Sequence, residues 1–150
     1  MTSRRLDAEL ILGGAASAPL LVLREPVSFW GGVDDQDGTI IDRNHPQQGT
    51  SLAGTALLMD GSRGSSSSSS TFLECVRLGT APAILLFTER DTILTVAAAA
   101  AWEIYGTGPT VLILPEMPDL AGVHTITVDD EGVLHARSDV EETSASGGRT

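Results

Sequence analysis

The chain has 150 residues, 41% of them hydrophobic, which suits one domain with a real core and excludes a disordered chain. Its formal net charge is −11, all nine basic residues are arginine, and an acidic surface of this kind repels nucleic-acid backbones. The lack of lysine excludes Schiff-base chemistry within the chain, and the single cysteine, Cys75, excludes an internal disulfide and a zinc or iron–sulfur site built from this chain's thiols.

Residues 1–5 read as a frayed tip. "LDAELILGG" (6–14) and "APLLVL" (18–23) read as strands separated by a small-residue turn, and "REPV" (24–27) ends that unit. "SFWGGVDDQDGTIID" (28–42) carries a hairpin signal at Asp37–Gly38, with "TIID" as the return strand. "RNHPQQGTSLAG" (43–54) is a loop, and "TALLM" (55–59) a short buried strand. After a serine tract, "TFLECVRLG" places Phe72, Leu73, Val76 and Leu78 at helical spacing, with Gly79 as a C-cap. "APAILLF" (81–87) is a strand, "RDTILTVAAAAAWEIYG" (90–106) a helix closed by Gly106, and "PTVLILP" (109–115) another buried strand. "HTITVDDEGVLHAR" (124–137) reads as a hairpin turning at Glu131–Gly132, and 138–150 as a disordered polar tail after a single domain, 1–137. The back half therefore alternates β–α–β–α–β and predicts a parallel layer; the whole order fits an α/β, three-layer β/β/α domain.

No secretory leader is visible at the start, and "TILTVAAAAAW" is too short to span a bilayer, so the expectation is a soluble, cytoplasmic protein without membrane partners.

Ser65 to Ser70 form an unbroken run of six serines. Composition alone suggests a flexible spacer, but the flanking pieces are too short to be domains. The tract instead lies between a buried strand and an amphipathic helix, an arrangement that offers backbone N–H groups to an anion. Gly61 and Gly64 allow turns closed to other residues, Arg63 adds a cation suited to a carboxylate or phosphate, and the later serines can cap the helix. The pattern is not a P-loop, because no lysine follows the second glycine. The competing reading is an ordinary helix N-terminus capped by whichever serine fits.

Other positions divide between chemistry and structure. His45 lies in a polar loop and reads as a turn residue sooner than a catalyst. Asp34, Asp35 and Asp37 lack the distal glutamate of a calcium loop and read as turn formers. Phe29 and Trp30 are a core staple or an aromatic wall beside a cleft, core being preferred. Cys75 reads as a packed small hydrophobe, and Ala97–Ala101 as a helix face pressed on a sheet.

The ordered combination "SFWGGVD", "GTIID", "HPQ", "GSRGSSSSSS" and "LGTAPA" resembles the small subunit of the aconitase X family, over about residues 10 to 115. The resemblance implies a swivelling β/β/α domain that closes over a separate large subunit. It further implies that the large subunit holds iron or an iron–sulfur cluster and that this chain binds no metal alone. It implies a dehydratase acting on a small anionic 3-hydroxy acid, with the serine after "SRG", Ser65, as the base; a slip of one would put Ser66 there. Arg63, Gly64, Ser66 and Ser67 are the implied substrate-binding residues. The serine-rich loop favours the cis-3-hydroxy-L-proline branch; the alternatives are the mevalonate 5-phosphate dehydratase small subunit and, in another class, a non-catalytic anion-binding regulatory module.

Overall fold

The computed structural model describes residues 2–138. Its elements in chain order are β1 (Thr2–Leu6), β2 (Glu9–Leu12), β3 (Ala16–Val22), α1 (Phe29–Gly32), β4 (Ala56–Met59), α2 (Ser67–Leu78), β5 (Ile84–Phe87), α3 (Thr92–Tyr105), β6 (Thr110–Ile113), β7 (Val123–Val128) and β8 (Leu134–Ser138). The strands form one mixed sheet in the order β1-β8-β7-β3-β4-β5-β6-β2.

Strands β3, β4, β5 and β6 run parallel, and β2 closes that side antiparallel to β6. β3 serves both halves of the sheet. Ala16–Pro19 pair antiparallel with β7, whereas Leu20–Val22 pair in parallel with β4. The sheet curls at this point, and the β7–β8–β1 ribbon folds across one face of the parallel strands.

Strict two-residue alternation explains why the parallel strands are apolar throughout. Leu57, Met59, Leu85, Phe87 and Val111 face the helices and pack with Phe72, Cys75, Leu94, Ala97 and Ala98. Their neighbours Ala56, Leu58, Ile84, Leu86 and Leu112 face the other way, onto Ile126, Val128, Leu134, Ala136 and Leu6 of the ribbon. Two cores thus sandwich one sheet layer, giving the expected β/β/α architecture. The alanines of α3 let that helix lie close to the sheet, with Ala97, Ala98 and Ala101 fully covered. Both long helices end on a glycine in the left-handed region, Gly79 (φ 77°) and Gly106 (φ 70°), as their sequence signals predict.

Three expectations need correction. The first residues do not form a loose tip: Thr2–Leu6 make β1, an edge strand paired antiparallel with β8. Its arginines face solvent, and only Leu6 is buried, so the segment lacks the alternation that marks a strand. "TIID" forms no return strand; the 33–51 region holds only the isolated bridges Val33–Ile40 and Thr39–Ser51. Gly38 is instead wedged against Ala53 and the Thr80 carbonyl, and its N–H donates to the Asp34 carbonyl (2.7 Å). Finally, α2 starts inside the serine tract, at Ser67, where burial of Ser68 in its first turn offsets the weak helix propensity of serine. The expected disordered tail falls on 139–150, outside the described residues, while Ser138 ends β8.

Two glycines separate backbone strain from packing. At Gly49 (φ 92°) a Cβ would meet nothing within 4 Å; at Gly38 (φ 76°) it would lie 2.5 Å from the Thr80 carbonyl oxygen. Gly49→Ala should cost the left-handed penalty alone, about 1–2 kcal/mol. Gly38→Ala should cost clearly more in urea unfolding; equal losses would contradict this packing.

Candidate functional site

The parallel strand β4 ends at Met59, and the chain then crosses the C-terminal edge of the sheet as a loop, 60–66, before entering α2. That edge, outside the carboxyl ends of parallel strands, is where open α/β sheets place ligands. Two anchors fix the base of the loop. The Ser62 N–H donates to Asp91 Oδ2, while Asp91 Oδ1 accepts from the Leu94 N–H (2.9 Å) as the N-cap of α3. One carboxylate therefore ties the serine loop to the neighbouring helix start. The Arg63 N–H donates to the Val27 carbonyl (3.0 Å), which ties the loop to the "SFWGG" segment.

Gly64 is the tightest point. Its φ is +105°, and a Cβ there would lie 2.4 Å from Ser28 Oγ and 3.2 Å from Ser68 Oγ. Only glycine combines that backbone with that approach. Beyond it, Ser65 is exposed, and its Oγ accepts a hydrogen bond from the Ser67 N–H (3.3 Å). Ser66, the residue preceding the helix, has helical backbone angles and makes no side-chain cap. Ser65 thus performs the local capping that the sequence assigned loosely to the later serines. The backbone closes with Ser68 N–H to Ser65 C=O and Ser69 N–H to Ser66 C=O, both 3.0 Å. Among the described residues, the Gly64, Ser65 and Ser66 amides meet no acceptor, and the exposed Arg63 guanidinium has no hydrogen-bond or ion-pair partner. The loop therefore carries free donors and a cation on the residues next to Ser65, the electrostatic setting that favours an anion.

The "SFWGG" segment divides its two aromatics between the core and the surface. Phe29 is fully buried and meets Phe72 of α2 edge-to-face, ring centroids 5.0 Å apart. Trp30 is 63% exposed. Its backbone N–H donates to Ser68 Oγ (3.3 Å), so it stands at the start of α2, beside the serine loop. The sequence preference for core therefore holds for Phe29 and fails for Trp30, where the backbone leaves the helical region (φ −78°, ψ 115°) just before Gly31 (φ 78°) turns the chain. Ser28 and Ser68, which touch both Gly64 and Trp30, escaped notice in the sequence; inside a run of identical residues nothing distinguishes the one that points inward.

The remaining candidates lie elsewhere and act structurally. His45 is buried; its Nε2–H donates to the Glu25 carbonyl (2.9 Å) and its Nδ1 accepts from the Gln47 N–H (3.0 Å). With both nitrogens engaged it is a turn-locking residue. Asp34 and Asp37 accept from the N–H two residues ahead, Gln36 and Thr39 (2.9 Å each). Among the described residues no three His, Cys, Asp or Glu side chains converge on a point that suits a metal. Cys75 is fully buried, and burial pushes its thiol up to about 11, so it is a packing residue that stays protonated near neutrality. These residues do not fit an iron or iron–sulfur cluster. Among the described residues no helix is long and apolar enough to cross a membrane.

Residues 5–136 match the aconitase X swivel domain family. Over 109 residues the chain is 41% identical to cis-3-hydroxy-L-proline dehydratase of Pseudomonas aeruginosa, a match covering 73% of this chain and 19% of that protein. It thus spans about a fifth of the length of the hydroxyproline dehydratases it resembles. It is 36% identical over 96 residues to the phosphomevalonate dehydratase small subunit of Methanothermobacter thermautotrophicus, covering 64% of this chain and 73% of that one. The crystal structure of holo-form aconitase X from Thermococcus kodakaraensis superposes with a TM-score of 0.74 at 25% identity, over 90% of this chain and 99% of that one.

The Cys75 environment predicts its reactivity. At pH 8 only about one thiol in a thousand would be ionised. The folded chain should resist an aromatic disulfide reagent that titrates its single thiol once guanidinium unfolds it; rapid labelling of the folded chain would contradict the buried position.

Proposed function

The chain belongs to the aconitase X swivel domain family, and we propose that it is the small subunit of a dehydratase, supplying the serine base that removes the α-proton of a 3-hydroxy acid. The substrate best matched is cis-3-hydroxy-L-proline, given 41% identity to dehydratases of that name. The observation that carries the reading is the setting of Ser65: an exposed hydroxyl whose oxygen already accepts a helix N-terminal N–H, flanked by Arg63 and amides without acceptors.

A serine hydroxyl is a weak base at neutral pH and needs its alkoxide stabilised. Three features of this loop act in that direction. The Ser67 N–H points at Oγ, α2 presents the positive end of its dipole, and Arg63 adds a full charge. Ser65 Oγ, having released its own proton to solvent, takes the proton from the α-carbon; the released electron pair forms the α–β double bond, and the β-hydroxyl takes up a proton from solvent and leaves as water. For the proline substrate the resulting enamine tautomerises to Δ1-pyrroline-2-carboxylate. Arg63, the Gly64 amide and the Ser66 and Ser67 hydroxyls hold the substrate carboxylate. Ser65 is preferred to Ser66 as the base because its oxygen receives the helix N–H.

We assign any iron or iron–sulfur cluster to a large-subunit partner, since this chain's described residues offer it no ligand set. No step attributed to this chain runs through that group. In the hydroxyproline dehydratases the matched stretch is about a fifth of a longer polypeptide, which supports a larger catalytic companion here. The reading also takes the assembly to be cytoplasmic, without nucleic acid or membrane partners.

A second reading, the phosphomevalonate dehydratase small subunit, draws on the free Arg63 guanidinium, which suits a phosphate as well as a carboxylate, and on the 73% coverage of such a subunit. Reconstitution with an aconitase X-type large subunit and assay on both substrates separates the two. Ser65→Ala should leave the fold and the complex intact and lower turnover of the preferred substrate by about 10²–10⁴-fold. Full turnover by that complex would remove Ser65 from the chemistry. An altered effector response with unchanged turnover would favour a non-catalytic anion-binding module.

A further inference from the structure

Ser68 is the one member of the serine run that is fully buried, and its neighbours define what it does. The Trp30 N–H donates to its Oγ (3.3 Å), and Ser28 Oγ lies 3.4 Å from it. The Ser28 hydroxyl donates to the Trp30 carbonyl (3.0 Å), so the Ser68 hydroxyl is the donor in the pair it forms with Ser28. Each hydroxyl proton then has a destination. Gly64 rests directly on both oxygens, with the space for its Cβ taken by them.

We propose that Ser68 and Ser28 form a hydroxyl clamp that pins the 28–30 segment to the first turn of α2, and that Ser68 is a positioning residue for Ser65. The clamp sets the height of Gly64, and Gly64 sets the direction in which the next residue, Ser65, leaves the loop. It also fixes Trp30, the exposed aromatic beside that loop. The serine run therefore contains two functions: the exposed Ser65, in the loop, serves the chemistry, and the buried Ser68, in the first turn of α2, holds it. The catalytic part of this inference rests on the proposed role of Ser65; the clamp itself does not.

Two measurements separate those parts. The first is amide exchange of the Trp30 N–H in the full chain. Ser68→Ala removes its acceptor and should speed exchange by about three- to tenfold, the range expected for one net hydrogen bond. Ser70→Ala, an exposed change on the same helix, should leave it unchanged. The second is steady-state kinetics of the reconstituted complex. Ser68→Ala should lower kcat by about 10–100-fold with little change in KM, the signature of a misaimed group. Ser68→Cys, which retains the volume and a weak donor, should recover part of the loss. The clamp is overturned if Trp30 exchange in Ser68→Ala equals that in Ser70→Ala. The positioning role is overturned if Ser68→Ala lowers the melting temperature while the folded complex keeps its kcat. Should Ser65→Ala stay active, the assignment of the base fails, and Trp30 exchange alone decides the clamp.

Discussion

The arrangement of this molecule's serine loop depends on the absence of one side chain. Gly64 adopts a left-handed backbone against two hydroxyl oxygens, where any Cβ would overlap Ser28 Oγ. Everything around it is set by that close approach. The 28–30 segment reaches α2 because nothing stands between them. Ser65 emerges outward because the residue before it turns that way. A larger residue at 64 would push the loop off Ser28 and disconnect the exposed hydroxyl from the helix that polarises it.

The sheet supplies the rigidity that such a loop needs. β4 is buried on both faces, so the strand that launches the loop is fixed by two cores at once. Asp91 then joins the loop base to α3, and Phe29 against Phe72 joins the front segment to α2. Three independent ties meet within a few residues of Ser65. In the proposed role of Ser65, preorganisation of this kind lets a weakly acidic hydroxyl act without reorganising its surroundings at the moment of reaction.

Much of the fold was legible from local pattern. The runs at 55–59, 81–87 and 109–115 are apolar without alternation because both faces are covered, and the glycines at 79 and 106 stop their helices as expected. β1 was missed because an edge strand rich in arginine shows no core-facing period, and its partner lies 128 to 136 residues away. The setting of the serine tract was legible too, since a strand, a glycine-bearing loop and a helix in succession imply free amides. What six identical serines cannot encode is which one turns inward; that depends on Ser28 and Gly64, and on the pitch of a helix whose start the sequence did not reveal. The same holds for "FW", where a backbone break at Trp30 leaves one ring in the core and the other in solvent.

The account's central claim is spatial: one hydroxyl at the start of α2 meets the reacting carbon of a substrate held against a second protein. A crystal structure of the assembled heteromer with a bound 3-hydroxy acid measures it most directly. The account predicts Ser65 Oγ within about 3.5 Å of the α-carbon, with Arg63 on the carboxylate. A substrate seated elsewhere, with the 60–66 loop turned to solvent, would contradict it.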